Sequence, residues 1–463
     1  MSQHAFDIVV LGGGPGGYVA AIKAAQLGYR TALIEKHKLG GVCLNYGCIP
    51  TKTLLKTAKL FKEFQHARVF GINLPEGVSP TIDWPQMMHR KDKVVHQLTS
   101  GVQQLLQHNK VDVFNAFGDV TDQNTVQLET GEVIAYKYLI IATGSSSVTP
   151  DLPGLKDAID AGIAIDSTGA ISLAKQPKTM IILGGGVIAV EFATLYASLG
   201  TKVTLIQRSK EILSTLDHDV RETMQKHLIK SGIQIITEAT IQGIDQSIVK
   251  YVHQGKTFEI SGEKILVSLG RQPNLKGIEK LNLERDKTGI QVDAFLRTSK
   301  PNIYAIGDVN GKMMLAHVAS AEGITAVEHI HGSSIPVDYN QMPSCIYSFP
   351  EVGVVGLTEK EALSRGHDVV ISKFPLSVNG KALAEGESVG FVKIVADRKY
   401  GEVLGVHIVA IHATDMIAEA VATMTLEGTV HDLARAVHPH PTLSEIVMEA
   451  AHGAIGKAIH MKN

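Results

Sequence analysis

Cysteine is scarce in this chain: three in 463 residues, at Cys43, Cys48 and Cys345. Three thiols cannot staple a chain of this length, so a disulfide-framed scaffold is excluded and the core must come from packing. Neither sign of charge is in excess. Lys+Arg is 44 and Asp+Glu is 46, a formal net charge of −2. Bulk charge therefore draws the chain neither to nucleic acid nor to an anionic membrane. No uncharged apolar run reaches about 18 residues, so no transmembrane helix and no membrane insertion are expected. Met1–Phe6 is short and polar, without the basic region, apolar core and small-residue site of a targeting segment. The default expectation is a cytoplasmic, reducing setting, where two nearby cysteines are redox-active or metal-binding more often than structural. Hydrophobic residues at 44% and charged residues at 19% fit a folded globular protein. The length suggests about three domains.

Glycine is abundant, 44 of 463, against a usual share of about 7%. Its placement reveals an internal repeat. Residues 7–17 read Asp-Ile-Val-Val-Leu-Gly-Gly-Gly-Pro-Gly-Gly, an apolar strand feeding a glycine turn. A helical stretch to Gly28 and a second strand, Thr31–Ile34, follow, ending at Glu35. Residues 180–189 repeat the pattern, with a helix through Leu199 and a strand Lys202–Ile206 ending at Gln207. Gly12 to Glu35 and Gly184 to Gln207 both span 23 positions. Two βαβ units of matched spacing predict two dinucleotide-binding domains. In such a turn the first glycine permits the bend, the second admits the pyrophosphate, and the third lets helix pack on strand. Gly12, Gly14 and Gly17 fill these places, with Glu35 at the ribose position. Gly184, Gly186 and Ala189 form the small-residue variant. Gln207 at its ribose position hydrogen-bonds without charge, and Arg208 beside it leaves NAD versus NADP open.

Between the two units lies a helical insertion, about Lys52 to Asn109. Its second part, Trp84 to Gln107, shows helical spacing at Val94, Leu98, Val102, Leu105 and Leu106. A buried strand, Tyr138–Thr143, ends at Gly144. Pro150, Pro153 and Gly154 mark a boundary, and a second falls near Pro273. The stretch Asn302–Asp308 is another strand ending in Gly-Asp. From about Pro343 the chain has strands and helices without a glycine fingerprint. The predicted division is 1–150, 151–273, 274–342 and 343–463, the third segment completing the site of the first.

Cys43 and Cys48 lie five positions apart in Gly-Gly-Val-Cys-Leu-Asn-Tyr-Gly-Cys-Ile-Pro-Thr-Lys. In regular α-helix that offset separates Cα atoms by about 8.6 Å, whereas a disulfide wants roughly 4.4–6.8 Å. If the pair bridges, the segment departs from regular helix, and Gly47 is placed to allow it. A helix starting near Cys48 would lower that thiol's pKa. Zinc binding needs more ligands than one further cysteine offers, so no metal is expected. A redox disulfide, buried free thiols and a metal pair all remain readings of the spacing itself. Cys345, among apolar neighbours, reads as a buried thiol.

The block Gly40–Lys52 after a glycine fingerprint, the second fingerprint, and the ending His438-Pro-His-Pro-Thr-Leu-Ser-Glu445 resemble the pyridine nucleotide–disulfide oxidoreductases. The resemblance covers essentially the whole chain. Lys93–Val113, Tyr347–Thr358 around Phe-Pro-Glu-Val-Gly, and Lys373–Leu383 resemble the branch of the family that oxidises dihydrolipoamide with NAD⁺. The implied fold class is α/β: two Rossmann-like dinucleotide-binding domains plus a C-terminal α+β dimerisation domain. The resemblance implies a redox-active Cys43–Cys48 disulfide. It assigns FAD to Gly12, Gly14, Gly17, Glu35, Lys36, Gly41, Val42, Lys52, Gly118, Thr143, Gly144, Ser145, Asp308, Met314, Leu315, Ala316 and His317. It assigns NAD to Gly184, Gly186, Val187, Ile188, Glu191, Gln207 and Gly270. Lys52 and Glu191 would pair beside the flavin, where a lysine stabilises negative charge on the reduced ring. His440 matches the catalytic base and Glu445 the carboxylate that orients it, a pair suited to taking a thiol proton near neutral pH. The His440–Pro441 bond would be cis.

Implied partners are a second copy, forming a homodimer in which His440 serves the other subunit's disulfide, and a lipoyl group on another chain. That chain would be the acyltransferase of a 2-oxoacid dehydrogenase-type complex or a glycine cleavage carrier protein. Three rival readings compete with this one. An NADPH-dependent relative such as glutathione reductase would favour a basic nucleotide pocket, a reading that Gln207–Arg208 keeps open. Mercuric reductase would carry a cysteine pair near its C-terminus, and no cysteine follows Cys345. A non-catalytic FAD-binding module would lose the thiols or the base, yet Cys43, Cys48, Lys52, His440 and Glu445 are all present.

Overall fold

A computed structural model describes residues 3–461 apart from 74, 76 and 77. Its first sheet is built around β1 (Gln3–Leu11), whose Ile8, Val9 and Val10 are wholly buried. A strand covered on both faces reads as a continuous apolar run, which is why Ile-Val-Val-Leu stands out in the sequence. After β1 come α1 (Pro15–Gln26) and β2 (Thr31–Ile34). Two helices follow, α2 (Gly41–Tyr46) and α3 (Cys48–His66). Next are α4 (Trp84–His108), β3 (Asp112–Phe114), β4 (Gly118–Val120), β5 (Thr125–Leu128) and β6 (Val133–Ile141). The sheet order is β3-β2-β1-β6-β5-β4. The first four strands run parallel, and β5 and β4 add antiparallel pairs. A seventh strand, Ile303–Ala305, joins β6 in parallel from far along the chain.

The chain leaves this sheet along Ser145–Ser147 and returns along Arg271–Pro273, two short strands that pair antiparallel. Between them lies the second glycine unit. Its five-stranded parallel sheet has Thr179–Leu183 at the centre and Lys202–Ile206 beside it. An antiparallel meander, Ala239–Asp245, Ile248–His253 and Lys256–Ser261, is attached. The C-terminal part is a five-stranded antiparallel sheet. Helices Ala413–Thr425 and Glu445–Ala454 cover it, and Ile417, Ile446 and Val447 are buried against it.

The expected single helical insertion is two helices, because residues 71–83 after the 3₁₀ turn Ala67–Phe70 carry no helix among the described positions. Of the apolar stripe on α4, Val102 and Leu106 are buried, while Leu98 and Leu105 face solvent at 39% and 51% exposure. The apolar stripe is wider than the surface the helix packs against.

One core joins the three parts. Leu54, Leu55 and Ala58 of α3 and Trp84 of α4 cluster with Phe192 and Tyr196 of helix Val187–Ser198, and with Ile346, Phe391 and Val409 of the C-terminal sheet. Tyr196 is wholly buried and donates its hydroxyl proton to the Ala170 carbonyl. Replacing Tyr196 with Phe leaves that carbonyl buried without a partner, a cost of about 1–3 kcal/mol. Urea denaturation should show a lowered midpoint at unchanged slope; an unmoved midpoint would mean that the carbonyl is satisfied another way.

Candidate active site

The first glycine turn explains its own composition. Gly12 has φ +111°, and a Cβ there would meet the Ala142 carbonyl oxygen at 2.3 Å. A Cβ on Gly17 would stand 1.8 Å from the Gly12 oxygen, so Gly17 serves strand–helix packing. Gly14 is different. A Cβ placed there would find the Gly41 Cα as its nearest heavy atom, at 3.9 Å, so protein packing alone does not demand glycine. Gly186, in the second turn, has nothing within 4 Å. Both residues cap helices, Pro15–Gln26 and Val187–Ser198, whose first turns receive no side-chain cap. Open space in front of free backbone N–H groups at a helix N-terminus is a cradle for phosphate. The two turns thus fit two dinucleotides.

In front of the first turn is a cavity of about 1090 Å³. Every residue assigned to FAD from the sequence lines it except Gly17, which points into the packing interface instead. Val187, Ile188 and Glu191 also reach it, whereas Gly184, Gly186, Gln207 and Gly270 lie apart on the second unit. Glu35 already holds two backbone N–H groups, those of Gly13 and His37, each at 2.7 Å. Ser145 donates to Asp308 and accepts from Arg271 Nε at 2.7 Å. Thr143 donates to the Asn274 carbonyl at 2.7 Å. These bonds tie the departing strand of the chain to the returning one.

Cys43 lies in α2 and Cys48 opens α3, with Gly47 between them at φ −136°, ψ −103°. The helical path is broken at the position the spacing required. Among the described residues all three thiols are unbridged. The Cys43 S–H donates to the Cys48 sulfur, and this bond is the largest cause of two opposite shifts. It lowers Cys48 to about 7 against the effect of burial, with the Lys52 charge helping and Glu191 opposing. It raises Cys43, as do burial and the charge of Cys48.

Lys52 stands one helical turn beyond Cys48, on the same face of α3. Its Nζ meets the two Glu191 oxygens at 2.9 and 2.8 Å. Glu191 Oε1 also accepts the Tyr347 backbone N–H at 3.0 Å, and Lys52 Nζ lies 4.4 Å from the centre of the Tyr347 ring. At the other end of the chain, His440 Nδ1 lies 2.8 Å from Glu445 Oε1. The other Glu445 oxygen accepts the Thr442 N–H at 2.8 Å. Burial pushes the Glu445 carboxyl up, but Thr442 and His440 outweigh it and hold the group below the usual carboxylate range. The His440–Pro441 bond is cis. The His440 side chain is 78% exposed and does not line the cavity that holds the cysteines.

Residues 6–323 match the family described as pyridine nucleotide-disulphide oxidoreductase, and residues 342–451 match that family's dimerisation domain. The chain belongs to the pyridine nucleotide-disulphide oxidoreductases. It is 44% identical to a dihydrolipoyl dehydrogenase of Bacillus subtilis (strain 168) over 98% of this chain and 99% of that one. It is 50% identical to a dihydrolipoyl dehydrogenase of Acholeplasma laidlawii over 70% of this chain and 96% of that one. Among solved structures it is similar to the HOCl-induced flavoprotein disulfide reductase RclA from Escherichia coli. The TM-score is 0.85 at 25% identity, covering 96% of this chain and 99% of that one. The α/β fold with a C-terminal dimerisation domain is that of the family, as the sequence implied.

For a pyridine nucleotide-disulphide oxidoreductase, sequence reasoning missed several wall residues. Arg271, Asn274 and Tyr347 act through backbone or interdomain contacts that leave no motif. Cys345 corrects its expectation: it is half-buried and lines the same cavity as Cys43 and Cys48. Its apolar neighbours in sequence alternate across a strand, so one face of it stays open. Burial pushes its thiol up to about 11, so it remains protonated near neutral pH.

The thiol asymmetry is measurable. In the reduced protein, thiolate absorbance near the ultraviolet edge should rise with a midpoint near pH 7 and vanish in Cys48→Ser. Removing the cation with Lys52→Met should raise that midpoint by about one unit. A midpoint that follows Cys43 instead would reverse the assignment.

Proposed function

We propose that this protein oxidises dihydrolipoamide to lipoamide with reduction of NAD⁺ to NADH, working as a homodimer through the Cys43–Cys48 pair. The observation that carries the reading is that Cys43, Cys48 and the Lys52–Glu191 ion pair lie together on the wall of a cavity fronted by a phosphate cradle. FAD held by the first turn supplies the two-electron carrier between the cysteine pair and the nicotinamide nucleotide on the second turn.

The chain's own residues handle sulfur and protons. His440, held by Glu445, takes a proton from one substrate thiol. The resulting thiolate attacks the Cys43 sulfur of the oxidised pair, and the S–S bond breaks toward Cys48. Cys48 is the better leaving sulfur, because the Lys52 charge favours its thiolate. The second substrate thiol then attacks the substrate sulfur joined to Cys43, closing the lipoamide disulfide. Cys43 leaves and takes a proton, the state its raised pKa prefers. With FAD bound, Lys52, fixed by Glu191, would stabilise negative charge on the reduced ring.

The His440–Glu445 dyad stands apart from its own chain's cavity, which supports a site completed by the partner of a two-fold dimer. The lipoyl group would arrive on the acyltransferase of a 2-oxoacid dehydrogenase-type complex or on a glycine cleavage carrier, in the cytoplasm. Among the described residues no helix is long and apolar enough to cross a membrane.

The direct test is NAD⁺-linked oxidation of dihydrolipoamide, run against NADP⁺ and against glutathione with its disulfide. Cys48→Ser should abolish turnover and retain flavin. His440→Gln should cost about 10²–10⁴ in rate. Mixing these two variants should restore about a quarter of wild-type activity, since half of the two-fold dimers then carry one intact site. No recovery on mixing would place His440 at its own subunit's disulfide.

A further inference from the structure

A buried charge cluster joins the C-terminal sheet to the second glycine unit. Lys373, Lys393 and His407 lie side by side on three neighbouring strands, in direct register. Lys393 is only 2% exposed, and its Nζ reaches Asp217 at 2.9 Å, Asp219 at 2.7 Å and Glu359 at 2.7 Å. An ammonium has three donors and no acceptor, so these three carboxylates satisfy it completely. Without Lys393 the three would confront one another, Asp217 buried and Asp219 and Glu359 partly exposed, and only Lys373, 2.6 Å from Asp219, would offset them. His407 cannot take over, since burial holds its pKa down and its Nε2 is engaged with the Leu357 carbonyl at 3.0 Å.

Asp217 does two more things. It caps helix His218–Lys230 through the Asp219 N–H at 3.0 Å. It also ends the loop that leaves Gln207, the residue at the ribose position. The middle of that loop is fastened to the glycine turn itself. The Leu213 N–H donates to the Gly185 carbonyl at 2.7 Å, and Leu216 bonds back to Leu213 at 2.9 Å. Ile212 and Leu213 are buried. Residues 208–217 are therefore held at their middle by the turn meant for pyrophosphate and at their end by Lys393.

We propose that Lys393 is a positioning residue for the nicotinamide nucleotide, acting through Asp217 on the loop that borders the second glycine turn. This rests on the reading that the second turn holds NAD⁺. Lys393 touches neither substrate nor nucleotide. It makes the dimerisation domain a support for the adenosine end of the nucleotide site.

The test compares wild-type holoenzyme with Lys393→Met and with Asp217→Asn. Asparagine keeps the helix cap and the hydrogen bond while removing one charge. NADH binding is read by fluorescence titration, flavin reduction by dihydrolipoamide is followed without NAD⁺, and flavin content and Tm are recorded. Breaking a buried ion cluster from the lysine side should weaken NADH binding on the order of tenfold. Asp217→Asn should weaken it less, and both variants should reduce at the wild-type rate with dihydrolipoamide. Wild-type NADH affinity in Lys393→Met overturns the proposal. So does an equal fall in both half-reactions, which marks a merely structural lysine. Should Lys393→Met not fold, unchanged affinity in Asp217→Asn overturns it. A wild-type enzyme that binds NADH but leaves dihydrolipoamide untouched would sink the functional reading instead, and the affinity comparison would still decide the role of Lys393.

Discussion

One carboxylate joins the three parts of this molecule. Glu191 stands on the helix of the second glycine unit, receives Lys52 from α3 of the first, and accepts a backbone N–H from Tyr347 at the start of the C-terminal sheet. It is almost wholly buried. A charge in that position persists only if it is paired and hydrogen-bonded, and each of its partners comes from a different part of the fold. The position of Lys52 fixes the electrostatics of Cys48 one turn earlier, so interdomain packing and thiol chemistry are set by the same contact. The dimerisation sheet is tied to the second unit again at Lys393, which makes two buried ionic seams rather than a loose hinge.

The cysteine pair works by inequality. A single hydrogen bond between the two sulfurs pushes their pKa values apart, and the Lys52 charge adds to the lowering at Cys48. The break between α2 and α3 brings them within reach, and the short α2 gives Cys43 a setting separate from the face that Cys48 shares with Lys52. The acid–base dyad, in contrast, is exposed and remote from its own chain's thiols. Redox chemistry and proton handling are thus built on different domains.

Much of this is legible in the sequence because backbone constraints leave strong residue signatures. Gly12 and Gly17 admit no side chain, β1 must be apolar on both faces, and the spacing of Cys43 and Cys48 already rules out regular helix. The nature of Gly14 and Gly186 can be read only as part of a pattern; the structure shows that their neighbours leave space rather than demand glycine. What stays hidden acts across long sequence separations. Tyr347 reaches Glu191 through its main chain, Arg271 grips Ser145, and Lys393 meets Asp217, and none of these needs a local motif. The neighbours of Cys345 mislead because apolar residues along a strand describe both faces at once. The stripe on α4 misleads because apolar periodicity marks a helix but does not say how much of it finds a partner.

The first sheet is assembled from two distant pieces of chain. Ile303–Ala305 completes the edge of β6 at Leu139–Ile141 only after the entire second unit has been made. On a ribosome adding about 5–20 residues per second, that edge waits on the order of ten seconds. During this interval the nascent chain presents an apolar strand with unpaired backbone groups, the kind of edge to which other strands add. The sheet of the glycine-turn unit emerging meanwhile needs no distant strand, since its own strands lie within one stretch of sequence. The sheet of the second unit can therefore close before that of the first, reversing the order in which they leave the ribosome.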